Sequence, residues 1–183
     1  MQEDINNDVE EKKEIKTLFM GETGGGKTLL LYRLKIGKIL STIPTLGFNF
    51  ETIENRYGKY FIINNIWEVG GLPRIIETWK HYFEKTDLLV YFINLAEDES
   101  IIRSKKIFWD TIAKDEKLLS TKFLFVGNKL DLVGSCKYSQ EDFRKLFSLE
   151  NIAQKWEYLE MSGLNDDVSS LKEFEIKMIQ MVI

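Results

Sequence analysis

Gly21 is followed, after Glu22, Thr23, Gly24 and Gly25, by Gly26, Lys27 and Thr28. A glycine, four residues, then Gly-Lys-Thr is the spacing of a loop that wraps the phosphates of a nucleoside di- or triphosphate. The glycines let backbone N–H groups turn inward with no Cβ in the way, Lys27 can reach the outer phosphates, and the Thr28 hydroxyl can sit on Mg²⁺. A second cluster, Asn128, Lys129 and Asp131, follows the apolar run Phe123 to Val126. A carboxylate at Asp131 can accept from both the ring N–H and the exocyclic amine of guanine. Adenine offers an acceptor at that ring nitrogen, and such a mismatch can cost roughly 10⁴-fold. Lys129 can lay its stem over the base, and Asn128 can tie its loop back to the phosphate loop.

These groups need elements to hold them. Ile15–Met20 reads as a strand and Lys27–Lys35, with Leu29 to Leu31 and Leu34, as a helix, so the glycine loop joins strand to helix N-terminus, where an anion is favoured. Further strands are expected at Asn49–Glu54, Tyr60–Glu68, Leu88–Asn94, Phe123–Asn128 and Glu157–Met161, and helices at Pro73–Phe83, Ser100–Lys114, Gln140–Leu146 and Ser169–Val182. Alternating strands and helices predict an α/β fold, a six-stranded mixed and mostly parallel sheet with helices on both faces. The second and third strands are too close in sequence for a crossover helix and should form an antiparallel hairpin. In the last helix Leu171, Phe174, Met178 and Val182 recur at core-facing spacing.

The 183 residues suit one globular domain, here 16–183, preceded by a flexible acidic tail over 1–15. The net charge of −4 gives no basic footprint for nucleic acid. The lone Cys136 cannot form an internal disulfide, and with no signal peptide evident the expected location is cytoplasmic. No apolar run reaches the roughly 18 residues needed to cross a bilayer.

Two further segments, Ile43 to Asn49 and Trp67 to Leu72, bracket the hairpin. Together with Gly21–Thr28, Trp79–Phe83 and Asn128–Asp131, in this order, they make the chain resemble the ADP-ribosylation-factor (Arf and Arf-like) family of Ras-related small GTPases from about Lys16 to its end. The resemblance implies a Ras-like phosphate-loop fold that switches between GTP and GDP with Mg²⁺, hydrolyses GTP, acts in membrane traffic, and meets effectors, an exchange factor and a GTPase-activating protein. It implies that Ile43–Phe48 is a first switch whose Thr45 joins Thr28 on Mg²⁺ and senses the γ-phosphate. Gly71 would offer that phosphate a backbone N–H, with Gly70 to about Thr78 as a second switch. Lys27, Thr45, Gly71 and the position of Leu72 would make the catalytic group. Glu22 to Thr28, Thr45, Gly71, Asn128, Lys129, Asp131, Met161 and Ser162 would make the nucleotide site, the last two without the closing contact being assigned to either. Phe48, Trp67 and Tyr82 resemble an exposed aromatic cluster that grips effectors; strand alternation independently turns Trp67 away from Glu68.

Four positions depart from the family pattern, the first being Thr23, which replaces a usual aspartate in the phosphate loop. Glu68 stands where the family has an aspartate that meets Mg²⁺ through water, and its extra methylene must push the carboxylate deeper or displace that water. Asn64 is polar at a core-facing position and needs a partner. Leu72 replaces the glutamine that orients the attacking water, so hydrolysis is expected to be slow. The alternative reading is a GTP-loaded, essentially non-hydrolysing platform for effectors, native or engineered. Residue 2 is Gln2 rather than the glycine that N-myristoylation needs, so no direct lipid anchor is expected and membrane recruitment would run through a partner.

Overall fold

β1 (Glu11–Gly21), β4 (Leu88–Asn94), β5 (Lys122–Asn128) and β6 (Trp156–Glu160) are parallel neighbours, and the central β4 and β5, runs of Val, Ile, Leu and Phe, are buried on both faces. The computed structural model describes residues 11–135, 137–164 and 168–183. On the other side of β1 lie β3 (Tyr60–Val69), parallel to it, and β2 (Phe48–Tyr57), antiparallel to β3 and at the edge, giving the order β2-β3-β1-β4-β5-β6. The expected six-stranded mixed sheet and its one hairpin are therefore present. Tyr57 pairs with Tyr60 across a two-residue turn that Gly58 enters at φ 58°.

α1 (Lys27–Ile36) and α6 (Val168–Val182) cover one face, packing Leu30, Leu31, Phe174 and Met178 on Phe19, Ile66 and Phe92. α3 (Asp98–Thr111) and α5 (Gln140–Phe147) cover the other, where Phe108, Phe143 and Phe147 pack on Tyr91, Phe123 and Phe125. Along β3 the side chains alternate as expected: Ile62, Asn64, Ile66 and Glu68 are buried, whereas Trp67 faces the opposite layer. Asn64 is buried with its Oδ1 unpaired among the described residues.

Three expectations are corrected. β1 begins at Glu11, which pairs with Tyr60, so residues 11–15 belong to the sheet and not to the tail; residues 1–10 and Cys136 lie outside the described residues. The single helix expected over Pro73–Phe83 is broken into α2 (Pro73–Ile76) and a 3₁₀ turn at Trp79–His81. The break arises because the Thr78 N–H and hydroxyl both return to the Ile75 carbonyl (2.8 and 2.7 Å), and because the fully buried Trp79 indole reaches back to the Gly70 carbonyl at 2.9 Å. Finally, a short α4 (Leu130–Val133), closed by Gly134 at φ 83°, follows the base motif where only a loop was expected. Among the described residues no helix is long and apolar enough to cross a membrane.

Candidate functional site

The site lies at the carboxyl ends of the parallel strands, where open α/β sheets leave a crevice. The loop leaving β1 packs directly on β4, since a Cβ on Gly21 would stand 2.3 Å from the Phe92 carbonyl oxygen. Gly24 and Gly26 take φ of 77° and 87°, turning the chain over the N-terminus of α1. Beneath it the Lys27 ammonium donates to the carbonyls of Gly21 (2.8 Å) and Glu22 (2.9 Å). Burial pushes the Lys27 pKa down to about 8, although Glu68 and then Glu22 pull it upward. The cation thus faces a cavity of about 230 Å³, lined by Thr23, Gly24, Gly26, Thr28, Thr45, Glu68 and Gly71 among others. Phosphate would supply the anion that this buried ammonium lacks.

Hydroxyl and carboxylate oxygens gather on one wall. Thr28 Oγ1 and Thr45 Oγ1 are 3.1 Å apart, and the Thr45 hydroxyl donates to Glu68 at 3.2 Å (Oε2) and 3.4 Å (Oε1). Asn49 Nδ2 donates to Glu68 Oε2 at 2.6 Å, from the position directly opposite Glu68 in the β2–β3 ladder. Sequence reasoning missed Asn49; once the hairpin register is known, cross-strand pairing finds it. No group of three or more His, Cys, Asp or Glu side chains that could hold a metal occurs among the described residues. The donor set here is instead two hydroxyls and one carboxylate, hard oxygens that suit Mg²⁺ completed by phosphate and water.

Gly71 touches the phosphate loop without an intervening side chain. Its carbonyl accepts from the Thr23 N–H at 3.1 Å. Leu72 follows, half-buried at the head of α2, where its carbonyl accepts from Ile75 N–H (2.8 Å) and Ile76 N–H (3.0 Å). Its side chain brings only hydrocarbon to this junction.

A second cavity, of about 270 Å³, shares Gly24, Gly26 and Thr42 with the first and is lined further by Leu29, Asn128, Lys129, Asp131, Leu132, Gly163 and Leu164. Asn128 organises it. Its Nδ2 donates to the Gly25 carbonyl, and its Oδ1 accepts from the N–H groups of Lys129 and Gly163, all at 2.8 Å. Lys129 takes φ 70°, which swings the following turn outward. The Ser162 hydroxyl donates to Asp131 Oδ1 and accepts from Leu164 N–H at 3.2 Å. Met161 instead sends its side chain into the core and uses its carbonyl to accept from Leu130 N–H at 3.2 Å. Of that pair, Ser162 is the one whose side chain reaches the base motif. The buried Arg33 of α1, unremarked in the sequence, donates to the Gly163 carbonyl at 2.7 Å.

Within the expected stretch from Glu22 to Thr28, two residues line neither cavity. The Glu22 side chain turns away to α3, meeting Ser100 Oγ (3.2 Å) and Arg103 Nε (2.9 Å), and Gly25 supplies the carbonyl for Asn128. The other expected residues of the loop and base motif converge.

A comparison with known families agrees with this geometry: the model of the ADP-ribosylation factor family matches residues 1–178. The chain belongs to the Arf family. It is accordingly a small GTP-binding switch protein with the Ras-like phosphate-loop fold. Arf proteins in general bind GTP and GDP with Mg²⁺, hydrolyse GTP, and work with effectors, exchange factors and GTPase-activating proteins. In this Arf protein aromatic residues of the hairpin and of the 3₁₀ turn's end form one cluster: Phe48 and Tyr82 lie with ring centroids 5.1 and 6.1 Å from Trp67. Phe50, which sequence reasoning passed over, joins at 4.9 Å, and Phe48 and Phe50 are 48% and 45% exposed. Ile43 and Leu46, on the loop before β2, are also exposed, so the apolar surface runs from the first switch to the hairpin.

Proposed function

We propose that this Arf protein is a guanine-nucleotide switch whose intrinsic GTP hydrolysis is very slow. The single observation that carries the reading is Leu72, a hydrocarbon side chain next to the Gly71 contact with the phosphate loop. Lys27 binds the outer phosphates, and the N–H groups of Gly24, Gly26 and Gly71 surround them. Thr28 and Thr45 would hold Mg²⁺, with the Glu68 carboxylate on the same wall of the cavity. When bound, the metal neutralises charge on the β- and γ-phosphate oxygens. Asp131 accepts from the guanine edge while Ser162 fixes its orientation, and the Lys129 stem covers the ring.

Hydrolysis requires water to attack the γ-phosphorus in line with the departing GDP, and Leu72 can neither donate to that water nor accept from it. Losing one preorganised polar contact typically costs about 10²–10³ in rate. Thr45 reports the γ-phosphate by closing the first switch, which completes the Phe48, Trp67 and Tyr82 surface for an effector. A role in membrane traffic fits this family, with recruitment through a partner protein. The acidic first residues would be repelled by anionic lipid.

Leu72 with Glu68 also supports a second reading, a platform that stays GTP-loaded and hardly hydrolyses at all. Phosphate release from GTP-preloaded protein separates the two. Under the first, Leu72→Gln raises turnover by one to two orders of magnitude; under the second, neither form releases phosphate. If the unmodified chain already matches the glutamine variant, Leu72 does not limit the reaction.

A further inference from the structure

We infer that Glu68 binds the nucleotide's Mg²⁺ directly, taking the coordination position that a water fills when an aspartate stands here. The inference rests on the reading that this site takes magnesium with guanine nucleotide, and it deepens that reading at one ligand.

The argument is one of spacing. Mg²⁺ holds oxygens at 2.0–2.1 Å in a near-ideal octahedron, so neighbouring ligand oxygens stand roughly 2.9–3.0 Å from one another. Thr28 Oγ1 and Thr45 Oγ1 are 3.1 Å apart, and Thr45 Oγ1 and Glu68 Oε2 are 3.2 Å apart. Both separations are within a few tenths of an ångström of an octahedral edge. An aspartate on the same backbone would withdraw its carboxylate by up to one C–C bond, about 1.5 Å, out of bonding distance of the metal.

The carboxylate is also held where it is. Glu68 is 1% exposed and lies one residue from the end of β3, still within the β2–β3 ladder, and the short bond from Asn49 Nδ2 fixes Oε2. Thr45 has a single hydroxyl proton; directed at Glu68, it leaves the oxygen lone pairs to face the cavity shared by all three residues. A carboxylate has about four acceptor directions, so Oε2 can take the Asn49 bond and the metal while Oε1, at 3.4 Å from Thr45, accepts the remaining proton. Lys27 lines the same cavity, so the carboxylate charge is set against two cations rather than one.

Mn²⁺, which takes similar oxygen ligands and is paramagnetic, serves as the probe with a non-hydrolysable GTP analogue on the full chain. Hyperfine spectroscopy in ¹⁷O-water counts metal-bound waters, and the same protein grown with ¹³C-carboxyl glutamate shows whether a carboxylate carbon lies one atom from the metal. The expected result is one bound water fewer in the unmodified protein than in Glu68→Asp, with a resolved ¹³C coupling in the unmodified protein. The labelled measurement needs no variant, so a Glu68→Asp chain that fails to fold leaves the decision intact. Equal water counts, or no ¹³C coupling while Mn²⁺ and the analogue remain bound, overturn direct ligation and leave the nucleotide reading standing. Failure of the unmodified protein to bind Mn²⁺ with the analogue overturns both.

Discussion

Replacing Asn128 with alanine tests whether the phosphate and base halves of the site are held as one unit. The side chain is 2% exposed and makes three hydrogen bonds of 2.8 Å, to Gly25, Lys129 and Gly163, each on a different loop. At a net value of about 1 kcal/mol each, their loss amounts to roughly 3 kcal/mol, and leaving the buried N–H of Gly163 unpaired adds to it. Some of this returns, because removal of the side chain opens polar space that water can enter. The expectation is a loss of about 2–4 kcal/mol, divided between folding stability and nucleotide retention. Since about 1.4 kcal/mol is tenfold, release of a fluorescent GDP analogue should accelerate by one to two orders of magnitude if half or more of the loss falls on binding. Urea unfolding of the nucleotide-free protein measures the other share. Asn128→Asp keeps the two acceptor bonds but sets a charge against the Gly25 carbonyl, so it should weaken nucleotide retention with the Gly163 loop still held. A fall in stability below about 0.5 kcal/mol together with release within twofold of the unmodified rate would refute the reasoning, because the three loops would then be held by other contacts.

Asp131→Asn should turn preference from guanine toward xanthine nucleotides, read by competition against labelled GDP; unchanged guanine preference would remove Asp131 from the base site. Asn64→Leu should stabilise the protein by about 1–2 kcal/mol, raising Tm by several degrees, because it deletes the buried Oδ1 that has no partner among the described residues. For Lys27, the folded pKa of about 8 lies below the unfolded value near 10.4, so between these pH values the unfolded chain binds more protons. Stability of the nucleotide-free protein should therefore rise across that window, by up to roughly 3 kcal/mol, and the rise should be missing from Lys27→Met measured in parallel.

The phosphate loop and base motif were legible because their chemistry depends on residue type at fixed spacing, which the chain displays directly. β4 was legible for another reason: Leu88 to Asn94 is buried on both faces, so its apolar run has sharp ends. Local pattern served less well where long-range contacts decide. Glu11 to Glu14 are too charged to read as strand, yet β3 offers them a ladder, and Lys59 reaches Glu11 Oε1 at 2.5 Å. Pro73 to Phe83 has helical spacing, but burying Trp79 against Gly70 breaks it. Asn49 and Arg33 carried no motif at all, since each acts on a partner that only the fold brings near: Glu68 in one case, the Gly163 carbonyl in the other. Glu22 shows the reverse error, a residue inside the motif whose side chain serves α3.

Gly71 has no unusual backbone conformation to demand glycine, and φ there is not positive. What demands it is the 2.2 Å between an added methyl group and the Gly21 carbonyl oxygen, with the backbone of Glu22 and Thr23 at 2.4 and 2.5 Å. The second switch and the phosphate loop therefore meet as two bare backbones at a hard stop. An alanine there would act as a wedge, and since neither surface is a flexible side chain, its volume must become separation. Any movement of one backbone toward the other is transmitted across the seam with no compressible layer to absorb it.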